Sequence, residues 1–320
     1  MSDVAVAKPC LAPAPLSASL RARQHAPAAA PAGGVHPQDL SNFRVWLKHQ
    51  PHLPHDIPDE TLTLFLHSQN NSLELAKLTL DRSYSIRTAA RELFTNRDPF
   101  SAEIQDALKI IFFAPLPKRT PEGFLAFVVG FRDPDPSHFM FIEAVKLSLM
   151  VLDMVQLNDG PVPGYRLVMD MRGTNIAHVG KINFATMKRG LDYQQEGLPV
   201  RLKGVHVINA IPLVHHILAI MKPVMKPETR EMMHVHTEAQ VSKFYEFVPK
   251  EIMPKDYGGE APSSEELHGL VKQGIEKLAA WYTQEERLRV DESKRPARSV
   301  PYQDGDAFGC NGSFKKLNLD

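Results

Sequence analysis

Between residues 123 and 236, short runs of β-forming residues alternate with longer helical stretches, and this alternation narrows the possible folds more than any other feature of the chain. "GFLAFVVGF" is apolar, rich in β formers and bounded by glycines, so it reads as a strand. "SHFMFIEAVKLSLMVLDMVQLN" follows with Phe141, Ala144, Leu147, Val151 and Met154 on one helical face. "GYRLVMDM" and "KGVHVIN" read as further strands, with the helical "KINFATMKRGLDYQQEG" between them. "MMHVHT" is a short fourth strand, and "PSSEELHGLVKQGIEKLAAWYTQEERL" closes the domain as a helix capped by Ser263 or Ser264. Strands that alternate with helices predict βαβ units, and hence an α/β fold with a mixed, mostly parallel sheet.

Helical signals dominate before that region. Leu40, Phe43 and Leu47 share a face with Trp46 beside them, and Pro58 opens a stretch carrying Leu62, Phe65 and Leu66. Leu73, Ala76, Leu80, Tyr84, Arg87 and Arg91 continue at helical spacing, which predicts a three-helix module over 37–97 and a main domain over 98–290. Residues 1–36 are rich in Ala and Pro and offer little to bury, so a disordered segment is expected there. Residues 291–320 read as a polar tail, although Phe308 and Phe314 give it the means to dock on the body.

Lys plus Arg and Asp plus Glu number 37 each, so no global basic field argues for a nucleic-acid partner. The two cysteines, Cys10 and Cys310, lie near opposite ends and give no disulfide framework, which fits a reducing compartment. Asp3 and Lys8 interrupt the N-terminus too early for a signal peptide. No apolar run reaches the ~20 residues needed to span a bilayer, so the expected location is cytoplasmic, peripheral on membranes. A GxxxxGK[ST] loop, a GxGxxG fingerprint and a GxSxG elbow are all missing, which removes the common phosphate-loop, dinucleotide and hydrolase readings. Asp170 ends a strand without an obvious partner and reads as a carboxylate capping a loop. His206, His234 and His236 make a zinc site, and with it a hydrolase, a third reading; no Cys or Glu accompanies them at ligand spacing, and His215 and His216 lie on the helix between.

The helix after "KGVHVIN" is unusual. Val214, Ile217, Leu218 and Met221 form one stripe, Leu213 and Ile220 widen it, and Pro212 and Pro223 bracket it. A buried helix needs only the stripe. Isolation by two prolines allows it to move as a unit. Arg201 and Lys203 precede it, and Lys222, Lys226 and Arg230 follow it. A basic cluster beside a movable apolar helix suits docking on an anionic lipid surface.

"LKGVHVINAIPLVHHILAIMKPVMK" resembles the signature of the CRAL-TRIO lipid-binding family: a G-(I/V)-H-x-I-N strand, an apolar helix and K-P. "FRDPDP", "YRLVMDMRG" and "MPKDYGGE" are similar to further motifs of that family, in the same order, and the agreement runs from about residue 38 to 281. The helical module resembles the family's N-terminal trihelical region, and the tail "FGCNGSFKKLNLD" is similar to the C-terminus of one animal branch. The resemblance implies a sheet that floors an apolar pocket, with Val214, Ile217, Leu218 and Met221 on a gate helix. Matched to the family's pocket positions are Leu147, Val151, Met154, Tyr165, Leu167, Met169, Tyr193, Val200 and Leu202. Gly190 and Gln194 stand where tocopherol carriers have aliphatic side chains. Arg201 and Lys203 match a basic pair that meets phosphoinositide phosphates. Glu228, Met232 and "FLHSQNN" depart from the rest of that site, which shifts it toward Lys222, Lys226 and Arg230.

The expected function is therefore a non-enzymatic carrier of one tocopherol-, retinoid- or phospholipid-like molecule, exchanged at membranes with phosphoinositide contact and without a cofactor. The alternative within the same fold is a phosphoinositide-responsive adaptor that transfers no cargo.

Overall fold

The computed structural model describes residues 34–297 and 301–302. Most of the Ala/Pro-rich segment expected over 1–36 and of the tail expected over 291–320 lies outside these residues, as do Cys10, Cys310, Phe308 and Phe314.

Three helices open the described chain: α1 (Pro37–Lys48), α2 (Asp59–Ser68) and α3 (Leu73–Ala89). Their ends are set locally. The His36 ring accepts from the Gln38 N–H, Pro58 is the N-cap of α2, and the Ser72 hydroxyl accepts from the Leu75 N–H. Phe43, Leu47, Leu62, Phe65, Leu66 and Leu80 are fully buried in one small core between these helices. The third helical stretch does not run through unbroken. It stops at Ala90 (φ −86°, ψ 58°) and restarts as α4 (Arg91–Phe94), whose Leu93 and Phe94 turn into a separate cluster with Leu149 and Tyr193.

α5 (Ala102–Ile110) runs straight into β1 (Ile111–Pro115), a strand that periodicity did not reveal. No glycine or proline separates the two; Ile111 is already extended at φ −122°, ψ 151°. The remaining elements are β2 (Leu125–Phe131), α6 (Phe141–Asp159), β3 (Tyr165–Asp170), α7 (Ile176–Gly180), α8 (Phe184–Asp192), β4 (Leu202–Ile208), α9 (Leu213–Met221), α10 (Pro227–Glu231), β5 (Met233–Val235), α11 (Val241–Phe244), α12 (Ser264–Lys277) and α13 (Ala279–Glu285). Ser263 caps α12 in a capping box with Glu266.

The sheet order is β1-β2-β3-β4-β5, with β1 antiparallel to β2 and every other pair parallel. The mixed, mostly parallel sheet read from the sequence is the sheet observed. From β2 to β5 the chain steps the same way across the sheet three times. Right-handed crossovers then set α6, α7–α8 and α9 on one face. The opposite face is covered by Phe244 and Phe247, which pack on His206.

The helical module is fastened to the rest by buried charge. Arg87 of α3 donates to Asp153 of α6 (2.9 Å) and to Glu285 of α13; Arg97 donates to the same two carboxylates, at 2.6 Å to Asp153. All four side chains are buried, and the Tyr193 hydroxyl accepts twice more from Arg87 (3.0 and 2.8 Å). Removing one partner of such a ring leaves an uncompensated buried charge. Asp153→Ala is therefore expected to lose about 3–5 kcal/mol of stability in urea unfolding, far more than an exposed carboxylate would.

Candidate functional site

One face of the sheet carries two apolar rows, set by register. Val129, Met169, Val207 and Val235 align across β2 to β5, and Phe127, Leu167, Val205 and Met233 form the next row. A bulge continues this face: Tyr165 opposes Leu202, but Arg166 already opposes Gly204, so Lys203 is the extra residue and Leu202 shares the face of Tyr165.

Two helices cover this face unequally. α9 packs on its β4–β5 side, with Val214 buried against Val207, and Ile217 and Leu218 half-buried against the same cluster with Met233 and Val235. α6 covers the β1–β2 side, where Leu147, Val151 and Met154 are buried in one core with Phe113 and Phe127. Between them runs β3. Leu167 is half-buried, and Met169, on the central strand, keeps 40% of its surface exposed. The sheet face is thus left partly uncovered along β3, a trough with an apolar floor. Phe184 of α8 (48% exposed), Ile176 of α7 (69%) and Ile220 of α9 add exposed apolar surface from the helices on the same face.

The residues expected to line a pocket are dispersed over three environments. Leu167 and Met169 lie in the floor, with Val200 and Leu202 half-buried beyond it. Leu147, Val151, Met154 and Tyr165 are buried in the core, with Tyr165 stacked on Phe127 (ring centroids 6.0 Å apart). Tyr193 sits away from the trough, in the cluster with Phe94 and Leu149, bonded to Arg87. On α9, Val214 is buried, and Ile217, Leu218 and Met221 are half-buried. Phe127, Val129, Val207 and Phe184 escaped sequence reasoning. Strand alternation would have found the first three only once the register was known.

The basic residues gather at one end of the sheet, because β4 and β5 are parallel and the chain must return to the same edge between them. Lys203 is exposed, with its ammonium 5.8 Å from the Phe124 ring centroid. Lys222 is exposed, Lys226 pairs with Glu196 (3.0 Å), and Arg230 Nε donates to the Met225 carbonyl (2.9 Å). Arg201 has a different attachment: it donates to the His67 carbonyl at the end of α2, and burial lowers its pKa from the usual arginine value. The His67 ring in turn lies 3.0 Å from the Val162 carbonyl, so this corner joins the helical module to the sheet.

Asp170 has partners that its sequence neighbours did not reveal. It accepts from the Arg172 N–H (3.0 Å) and guanidinium (2.6 Å), from the Asn209 amide (2.8 Å) and from the Tyr257 hydroxyl (2.7 Å). Asn209 holds a left-handed conformation, φ +49°, in the short link between β4 and α9. Tyr257 belongs to the "DYGG" turn, where Gly258 has φ +77° and a Cβ on Gly259 would lie 2.0 Å from the Met253 carbonyl oxygen. Beyond the strand ends lies a polar cleft of about 480 Å³. Of its charges, Arg132 pairs with Glu265 and Arg172 with Asp170, while Asp256 accepts from the Ser264 N–H and hydroxyl.

His206, His234 and His236 come together on the opposite sheet face, but as a stack. His206 lies 4.9 Å from His234 and 5.4 Å from His236, with interplanar angles of 16° and 20°. His206 Nδ1 lies 3.2 Å from His236 Nε2, and the hydrogen bond between them occupies both nitrogens. Among the described residues no group of three or more His, Cys, Asp or Glu is arranged to hold a metal ion. The geometry therefore gives no support to the zinc reading of these histidines.

Residues 112–259 match the family model described as CRAL/TRIO domain, and residues 35–104 match one described as Pinta-like, UBA domain. The chain carries a CRAL-TRIO domain. Among similar proteins, "Alpha-tocopherol transfer protein-like" of Homo sapiens is 28% identical over 218 residues, 67% of this chain. The match spans 62% of that relative's length. "Clavesin-1" of Xenopus laevis is 22% identical over 228 residues, 70% of this chain and 68% of its own. The solved structure of Sfh5 aligns at a TM-score of 0.36 and 10% identity, over 72% of this chain and 91% of that one. No helix among the described residues is long and apolar enough to cross a membrane.

The CRAL-TRIO histidine stack has a consequence for pH. Burial, with smaller contributions from His234, His236 and Arg166, pushes His206 down from its ordinary 6.5 to about 3. The folded protein keeps this ring neutral while the unfolded chain protonates it, so stability falls as pH drops below 6.5. Chemical denaturation at pH 7 and pH 4 is expected to show a loss of order 2–3 kcal/mol from this ring. His206→Leu should flatten that part of the pH profile.

Proposed function

We propose that this CRAL-TRIO protein is a carrier that holds one small hydrophobic lipid, tocopherol-, retinoid- or phospholipid-like, in the trough along β3. α9 is its movable cover, and exchange takes place at membranes. The observation that carries the reading is the exposure of Met169. A methionine in the middle of a five-stranded sheet, between two covering helices, is ordinarily buried. An acyl chain or isoprenoid laid there would remove this floor from water, at about 0.8 kcal/mol per CH₂. Transfer makes and breaks no covalent bond, which agrees with the missing catalytic motifs.

The wall formed by α9 is suited to opening. It touches the body mainly through Val214, Ile217 and Leu218, and prolines stand at or next to both of its ends. Opening turns the same apolar stripe outward, where a bilayer can receive it. Lys203 and Lys222 then supply contact with anionic headgroups, phosphoinositides included. Arg201 is engaged with the His67 carbonyl and is held back from that contact. A basic site so reduced favours cargo transfer over a signalling adaptor whose response would rest on phosphoinositide affinity.

Two measurements test this reading. Leu218→Asp puts a charge on the inner face of the cover and is expected to abolish loading of lipid from donor vesicles while leaving the far-UV spectrum unchanged; normal loading would remove α9 from the site. Lys203→Glu combined with Lys222→Glu should weaken sedimentation with phosphoinositide-containing vesicles, more at low salt than at high salt. Equal binding by the variant and the parent would remove the anionic contact.

A further inference from the structure

His178 is buried at the end of the trough and has one unanswered proton. It lies on α7, and its ring packs 4.4 Å from Phe131 and 5.5 Å from Phe139. Phe131 belongs to the trough face, since it follows Val129 by two residues on β2. The side of His178 that faces its own helix is occupied: the Asn175 N–H donates to Nδ1 at 3.2 Å, completing the capping box of α7. With Nδ1 as an acceptor, the neutral ring carries its proton on Nε2. Burial holds the imidazole below its usual pKa, with the Asn175 hydrogen bond acting the other way, so the neutral form is the one present at pH 7.

Nε2 is buried and meets no hydrogen-bond partner among the described residues. His178 itself is only 3% exposed. A buried donor without an acceptor is costly, and native proteins rarely retain one without a use for it. The neighbouring Phe131 and Phe139 offer π faces, which are far weaker acceptors than oxygen. The trough-face residues that precede Phe131 in register, Val129 and its β3 neighbour Met169, carry no hydrogen-bonding side chain except a thioether, a poor acceptor.

We infer that His178 reads the polar end of the cargo: its Nε2–H donates to a single acceptor oxygen on an otherwise apolar lipid. The inference rests on the carrier reading and narrows the ligand class to chains or ring systems that end in a carbonyl, ether or hydroxyl oxygen. Pure hydrocarbon would leave the donor unanswered. A doubly charged headgroup would bring more charge than one neutral imidazole in an apolar surround can meet.

The test uses the full-length chain and two probes of nearly equal size, 2-heptadecanone and heptadecane, both delivered from cyclodextrin. The ketone only accepts hydrogen bonds, so it isolates the donor. The parent protein is expected to hold the ketone about tenfold more tightly than the alkane, the worth of one buried hydrogen bond. His178→Phe keeps an aromatic ring between Phe131 and Phe139, and should bind both probes equally to within about twofold. In the unmutated protein, selective ¹⁵N-histidine spectra should show the His178 Nε2–H resonance moving with the ketone and not with the alkane. That readout does not depend on whether the variant folds.

A ketone preference that survives in His178→Phe, or an Nε2–H resonance indifferent to the ketone, overturns the assignment. Equal uptake of both probes by the parent protein overturns it while leaving the carrier reading standing. Uptake of neither probe sinks the carrier reading, and this one with it.

Discussion

Three pieces of chain far apart in sequence meet at the carboxylate of Asp170. β3 ends on it, Asn209 of the link before α9 donates to it, and Tyr257 of the "DYGG" turn closes it from the other side. Arg172 supplies the compensating charge at 2.6 Å. With the carboxylate's acceptor positions so filled, its burial is tolerable. The arrangement has a mechanical effect. Asn209 has a left-handed conformation, which Asn adopts more readily than other non-glycine residues, and its amide bond to Asp170 fixes it there. The direction in which α9 leaves the sheet, and hence how much of the β3 floor it leaves uncovered, follows from that pin.

The second constraint lies where the helical module meets the main domain. Arg87, Arg97, Asp153 and Glu285 form a buried ring of charge that holds the helical module on α6 and α13. Arg201 adds a further tie to α2 through the His67 carbonyl. Rings of this kind contribute little net stability, because desolvation offsets much of their Coulomb energy. They do make the relative placement specific, since any other docking would strand a charge. The same ties set what remains available to a membrane. An arginine committed to a carbonyl in its own chain is a poor ligand for a phosphate, whereas Lys203 and Lys222 remain exposed. The trough and the basic edge are thus consequences of one sheet: its register makes the floor, and its parallel returns collect the lysines.

Most strands and helices were legible in the sequence because their signals are local. Alternating apolar residues, Pro58 at a helix entry and the Ser263–Glu266 capping box act over a few residues. β1 was not legible, because the helix before it passes into the strand without a breaking residue. The break at Ala90 escaped for a related reason: both halves are helical, and the interruption is confined to the backbone of one residue that is neither glycine nor proline. The site was legible in part. The stripe on α9 and the floor residues Leu167 and Met169 follow from periodicity and family resemblance. The bulge at Lys203, the use of Arg201 as a tie and the burial of Leu147, Val151 and Met154 in core do not.

What the sequence alone determined was the set of elements, their order, the parallel sheet that such an order demands, and the proline-bracketed apolar helix. Each of these is encoded within a window of some twenty residues or by the alternation of such windows. What only the tertiary structure decided was which of two chemically similar residues does which task. Asp170 became the pin and Asp153 a member of the ring; Met169 lay open while Met154 was sealed; Tyr257 met a carboxylate and Tyr193 an arginine. The physical reason is that a side chain's role depends on what stands opposite it, and partners 39 to 202 residues away are set by register and crossover, which no local pattern records.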